Sequence, residues 1–248
     1  GLRTAVVCAL AVAARAQDDP ASLLAQGEQL ALEGRYAEAL PILDQALELD
    51  PALAMAWNWH GHCHAGLGNP AVALASYARA LALLPDYAWT HYAVGMAHRS
   101  LGDVPAALDA YSRALALDPA HFKAWQWRGF TRNESGDHRG AIEDLSRAIA
   151  LQPEDAWTWF SRGRALIASR DLAAAVVDFA RVTELTPEES WDGRAQEQLG
   201  YLNLLLGRPD WSLWYLRKAE ELAPGAAVHP LLWIRRLAAD EESAAAFE

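Results

Sequence analysis

Prolines fall at Pro51, Pro85, Pro119, Pro153 and Pro187, each 34 residues after the last, and Pro224 follows after 37. A fixed period of this length constrains the fold more than any other feature. A 34-residue unit cannot bury a core alone, so copies must stack on one another. The residues before the prolines recur as well: ALELDP, ALALLP, ALALDP, AIALQP, VTELTP and AEELAP. Counting back 24 residues from each proline reaches a glycine in all six units: Gly27, Gly61, Gly95, Gly129, Gly163 and Gly200. Counting back 17 reaches Gly34, Gly68, Gly102, Gly136 and Gly207, with Arg170 in the fifth unit. Counting back 12 reaches Ala39, Ala73, Ala107, Ala141 and Ala175, with Ser212 in the sixth.

Each repeated residue has a physical reason. The first glycine and the alanine are small where two helices cross closely. The second glycine ends the first helix, where a left-handed backbone is cheap only for glycine. Arg170 at that place costs on the order of 1 kcal/mol. The proline ends the second helix, because the residue before it is pushed out of helical geometry. Apolar residues make up 52% of the chain, much of it alanine and leucine, which favours helix. The unit is therefore a helix–turn–helix, repeated six times.

The period and the small-residue pattern resemble the tetratricopeptide repeat (TPR) family over roughly residues 20–225. The resemblance implies an all-α solenoid of about six repeats in a right-handed superhelix. The first helix of each pair would line a concave groove. A capping helix is expected in residues 226–248, which contain AAVHPLLWIRRLAADEES.

In a 34-residue frame with the proline at position 32, the stretch WNWHGHCHAG (residues 57–66) can be placed. Trp57, Trp125 and Trp159 occupy position 4, where the family puts a core aromatic. His60 (position 7) and His64 (position 11) would face the helix–helix interface, as would His98. His62 (position 9) would face the groove. The three histidines of the stretch thus point different ways, and His60 and His64 are read as packed, hydrogen-bonded core side chains. A zinc or copper site using His60, His64 and a neighbouring His91 or His98 is the alternative, and no paired carboxylate or CxxC supports it. No metal or cofactor is expected. Positions 7 and 23 change type together. They are His60 and Ser76, Val94 and Ala110, Arg128 and Asp144, Arg162 and Asp178. The last two pairs are expected as structural ion pairs across the two helices of one repeat.

The family's groove positions select Asn58, Trp59, His62, Trp89, Tyr92, Met96, Lys123, Gln126, Trp127, Phe130, Trp157, Phe160, Arg164 and Tyr201. Four tryptophans in this set (Trp59, Trp89, Trp127 and Trp157) would form one aromatic strip, which accounts for much of the total of eleven. Rigid aromatic side chains of this kind dominate binding hot spots. The expected partner is a protein or peptide segment, apolar or proline-rich, held by a non-enzymatic scaffold. The chaperone-tail TPR groove uses Lys and Asn to hold a terminal carboxylate, whereas Leu24 and Glu28 stand at those positions. A glycan-binding protein using the same rings is the alternative reading. No nucleophile–base pair, phosphate loop or paired-acid motif suggests an enzyme.

A formal net charge of −11 argues against nucleic acid. Cys8 and Cys63 are the only cysteines, so there is no disulfide framework. Arg3, the apolar run from Thr4 to Ala14 and the triplet Ala14–Arg15–Ala16 have the layout of a secretory signal. That reading makes residues 1–16 a cleaved leader, residues 17–225 the repeats, and the mature protein periplasmic or secreted with no membrane span. If the segment is instead a retained first helix, a cytoplasmic protein is expected. The sequon at Asn133 is read as chance.

Overall fold

A computed structural model describes residues 19–187 and 190–222. The leader read in residues 1–16 and the capping helix read in 226–248 lie outside the described residues. Within them the chain forms twelve helices and no strand. They are α1 (Pro20–Leu32), α2 (Tyr36–Leu49), α3 (Ala54–Gly66), α4 (Pro70–Leu83), α5 (Ala88–Ser100), α6 (Val104–Leu117), α7 (Phe122–Glu134), α8 (His138–Leu151), α9 (Ala156–Ala168), α10 (Leu172–Leu185), α11 (Ser190–Leu205) and α12 (Pro209–Leu222). None of them is long and apolar enough to cross a membrane. The helices are joined by short turns, so they form six hairpin-like pairs, one per repeat. This is the all-α solenoid class that the period requires. The described residues divide into two compact units, the first ending at Trp127 and the second beginning at Arg128, inside α7.

The small residues do what their spacing predicts. In all six pairs a Cβ added to the position-8 glycine would run into the residue at position 24 of the partner helix; at Gly61 it would sit 2.6 Å from the Tyr77 ring. The glycine thus makes room for a large residue opposite, and that residue fills the pair's core. Tyr77, Tyr111, Phe179, Leu43, Leu145 and Leu216 are all essentially fully buried. The position-15 glycines take a left-handed φ of 70–89°, and Arg170 is forced to 64° in the same place.

Two devices were not foreseen. Asp103, Asp137 and Asp171 follow that turn and cap α6, α8 and α10, each side chain accepting an N–H of the first helical turn. Such a cap is worth about 1 kcal/mol. The second device narrows the reading of Trp57, Trp125 and Trp159 as core residues, of which Trp125 and Trp159 pack against core clusters. All three are half-buried, and each indole N–H donates to the carbonyl of the proline six residues earlier: Pro51, Pro119 and Pro153, at 3.0, 2.9 and 2.8 Å. His91 stands at the same position, with Nε2 2.8 Å from the Pro85 carbonyl. A carbonyl beyond a helix end has no partner in the helix, so a side chain from the next repeat supplies one.

Candidate binding groove

The first unit brings four of the expected groove residues to one place. His62 on α3 and Trp89, Tyr92 and Met96 on α5 line a pocket of about 450 Å³, together with Ala65, Pro70, Ala93, Ala97 and Ser100. Tyr77 of α4 also lines it. The rings are fixed by their neighbours. His62 meets Tyr36, Trp59 and Trp89 edge-on, with centroids 5.6, 5.4 and 5.6 Å away. Tyr92 lies 5.1 Å from His121 and 6.1 Å from Tyr111, tilted against both. The Tyr111 hydroxyl lies 3.3 Å from the Met96 sulfur. Gly66 is small because a Cβ there would collide with the Tyr36 ring.

Burial sets the electrostatics. It holds the His62 imidazole below its ordinary value, so the ring is neutral at pH 7. It pushes the Tyr92 phenol up to about 12 and the Tyr77 phenol higher still. It raises the fully buried Cys63 thiol to about 11, which makes it a packing residue rather than a nucleophile. No lysine, arginine, aspartate or glutamate lines the pocket. The chemistry available here is shape, aromatic surface and neutral hydrogen bonding.

Three expected groove residues are buried. Asn58 is 1% exposed and accepts a 2.8 Å hydrogen bond from the Thr90 hydroxyl. Gln126 is equally buried and accepts from the Lys123 ammonium at 3.0 Å. In both repeats position 5 therefore turns inward, and Asn58 ties α3 to the neighbouring first helix α5. Trp59 is 8% exposed and packs with Ala31, Ala39, Leu43 and Cys63, leaving Trp89 beside it as the open ring. Trp59 supports the wall of the site and cannot be an anchor.

The remaining expected residues fall into smaller groups. Trp127 lies under the Arg99 guanidinium, 5.0 Å from its ring centre. In the second unit Phe130 and Trp157 face each other at 5.2 Å, and Phe160 packs edge-on against Phe179 at 5.2 Å. Lys123, Arg164 and Tyr201 are exposed.

The ion pairs stand as the paired positions predict. Arg128 donates twice to Asp144 (2.8 and 2.7 Å) and Arg162 twice to Asp178 (2.8 and 2.7 Å). Arg132 adds a third hydrogen bond to Asp144 at 2.9 Å. The histidines go separate ways. His60 Nδ1 lies 2.8 Å from Ser76 Oγ and its Nε2 3.3 Å from Asp44 Oδ1, while His62 turns to the pocket. No three potential metal ligands converge among the described residues. Sequence reasoning missed an aromatic cluster on α12, where Trp211 and Trp214, 58% and 48% exposed, surround Tyr215. Its signal was visible in DWSLWY, whose rings recur at helical spacing.

Comparison with known proteins follows the same lines. Two tetratricopeptide repeat profiles match residues 52–120 and 134–190, together just over half of the chain. No curated protein matches. Among solved structures, pilF of Pseudomonas aeruginosa superposes with a TM-score of 0.72 at 17% identity, covering 89% of this chain and 97% of its own. YrrB, described as a TPR protein with an unusual peptide-binding site, gives 0.67 at 23% identity over 76% of this chain and 96% of its own. MamA from Desulfovibrio magneticus RS-1 gives 0.65 at 22% identity over 70% and 96%. At these identities the likeness speaks for the fold. With the profile matches, the six-fold period and the helix pairs in agreement, the chain belongs to the tetratricopeptide repeat family.

Proposed function

We propose that this protein is a non-enzymatic interaction scaffold that holds an apolar or proline-rich segment of a partner protein on the groove face of its first unit. The observation that carries this reading is the pocket where His62, Trp89, Tyr92 and Met96 meet. Its volume falls within the range of about 300–1,000 Å³ usual for ligand pockets, and its walls are aromatic and apolar. Trp89 is the main anchor, since a rigid ring offers much contact area and has only two side-chain torsions to fix. Repeat stacks commonly use such surfaces for extended partners. The leader reading of residues 1–16 would put this work in the periplasm or outside the cell, supported by the apolar run and the Ala-x-Ala triplet before Gln17.

A peptide-array screen against the wild-type protein and the Trp89→Ala variant tests the proposal. Selected peptides should lose about 2 kcal/mol or more of binding in the variant. Peptides that bind both proteins equally would remove the groove from the function.

A further inference from the structure

The pocket contains polar groups whose hydrogen-bonding capacity is unused. Tyr77, its floor, is 1% exposed, and the little surface it keeps opens on the pocket. Its hydroxyl makes no hydrogen bond among the described residues, although it is not sealed from solvent. Tyr92 on the α5 wall and His62 on the α3 wall also lack hydrogen-bond partners among the described residues. Elsewhere in the same unit Asn58 is matched by Thr90 and Ser76 by the Val72 carbonyl, while Trp59 Nε1 and His64 Nδ1, which lack a hydrogen-bond partner, are sealed from solvent and take no part in the pocket lining. Three unmatched groups on one cavity therefore form a pattern. All three can both donate and accept.

We infer that the pocket seats one uncharged aromatic ring with a hydrogen-bonding group, the side chain of a tyrosine or tryptophan in the partner segment. Trp89 and Met96 contact the ring, and Tyr77, Tyr92 and His62 meet its polar edge. The inference rests on the groove reading above and names what that groove selects. A charged group would be desolvated with no counter-charge in the lining. An aliphatic or plain phenyl group would leave the three polar groups unmatched, the situation in which a polar site discriminates most strongly. A planar ring also suits the aromatic and thioether surfaces beside it.

The test titrates the full chain with 4-methylphenol, 3-methylindole, toluene and benzoate, using calorimetry and ring-proton shifts in NMR. The first two should bind about tenfold more tightly than toluene, the equivalent of one net hydrogen bond. Benzoate should not compete. Tyr77→Phe removes a hydroxyl that bonds nothing, so helix content and melting temperature should hold while the preference for 4-methylphenol over toluene falls to about twofold or less. Toluene binding as well as 4-methylphenol, benzoate binding as well as either, or a preference that survives both Tyr77→Phe and Tyr92→Phe would each overturn the inference. Peptides that depend on Trp89 but ignore the Tyr77 hydroxyl would sink the ring chemistry and leave the groove reading intact. Ring binding with no Trp89-dependent peptide would do the reverse.

Discussion

In the first unit positions 7 and 23 of the repeat hold His60 opposite Ser76, then Val94 opposite Ala110. In the second unit they hold Arg128 opposite Asp144 and Arg162 opposite Asp178. Three of these pairs are joined by hydrogen bonds across the same sixteen-residue separation. The slot accepts a neutral polar pair, an apolar pair or a doubly hydrogen-bonded ion pair. What it requires is that the two sides match. Asp144 and Asp178 are 2% and 1% exposed and look like a charged site, yet their hydrogen bonds are taken up inside the scaffold. Tyr77, Tyr92 and His62 carry no charge and attract less notice, yet they are the groups without a hydrogen-bond partner that line a cavity. Polar residues matched within the fold hold it together, and those left unmatched on a cavity mark where something else binds.

The largest way to break this contrast is to unmatch the second unit. Asp144→Ala removes the buried carboxylate that Arg128 and Arg132 share, and breaking a buried ion pair costs about 3–5 kcal/mol. Ser76→Ala, the equivalent change in the first unit, should cost only about 1 kcal/mol. Urea unfolding measures both, and equal losses would erase the distinction. Next in size is Gly61→Ala, which drives a methyl group into the Tyr77 ring and should destabilise by about 1–3 kcal/mol. It should also disturb the pocket floor, visible as weaker ring binding. Arg170→Gly should raise stability by about 1 kcal/mol, because it relieves a left-handed residue at the one turn that lacks glycine. A calorimetric scan showing no gain would mean that the Arg170 side chain offsets its backbone strain.

The smallest effect is the pH response. Burial lowers His60, His62 and His121 below the ordinary 6.5, and for His60 the neighbouring His64 lowers it further while Asp44 opposes. The unfolded chain therefore takes up protons at a higher pH than the folded one. Stability present above about pH 6.5 should decline as the pH falls below it and level off once the folded histidines are also protonated. All three lie in the first unit, so hydrogen exchange at pH 5.5 should rise first in peptides from residues 19–127.

The repeat, the helix pairs, the glycine turns and both ion pairs were legible because each depends on a residue type at a fixed interval. Burial at the groove positions was less legible. Asn58 and Gln126 occupy groove positions by count but are buried, Asn58 because its helix packs against the first helix of the next repeat and bonds Thr90 there. Trp59 follows the same logic: Tyr36, His62 and Trp89 close around it, and no count along one helix reveals neighbours supplied by two others. Tyr77 was missed as a site residue because it belongs to a second helix. Only the cavity beside Gly66 and Gly68 shows that its hydroxyl has an opening.

The indole-to-proline hydrogen bond has a consequence for chain length. Every such bond spans six residues, and its two ends belong to successive repeats. Excising residues 52–85 would place His91 six positions after Pro51, at the spacing that Trp57 has now. The shortened chain would meet itself at an already compatible joint. Removing 33 or 35 residues instead would rotate the following helix by about 100° against the one before it. The molecule therefore behaves as a string of interchangeable cassettes, and circular dichroism and cooperative unfolding should tolerate the 34-residue deletion far better than either of its neighbours.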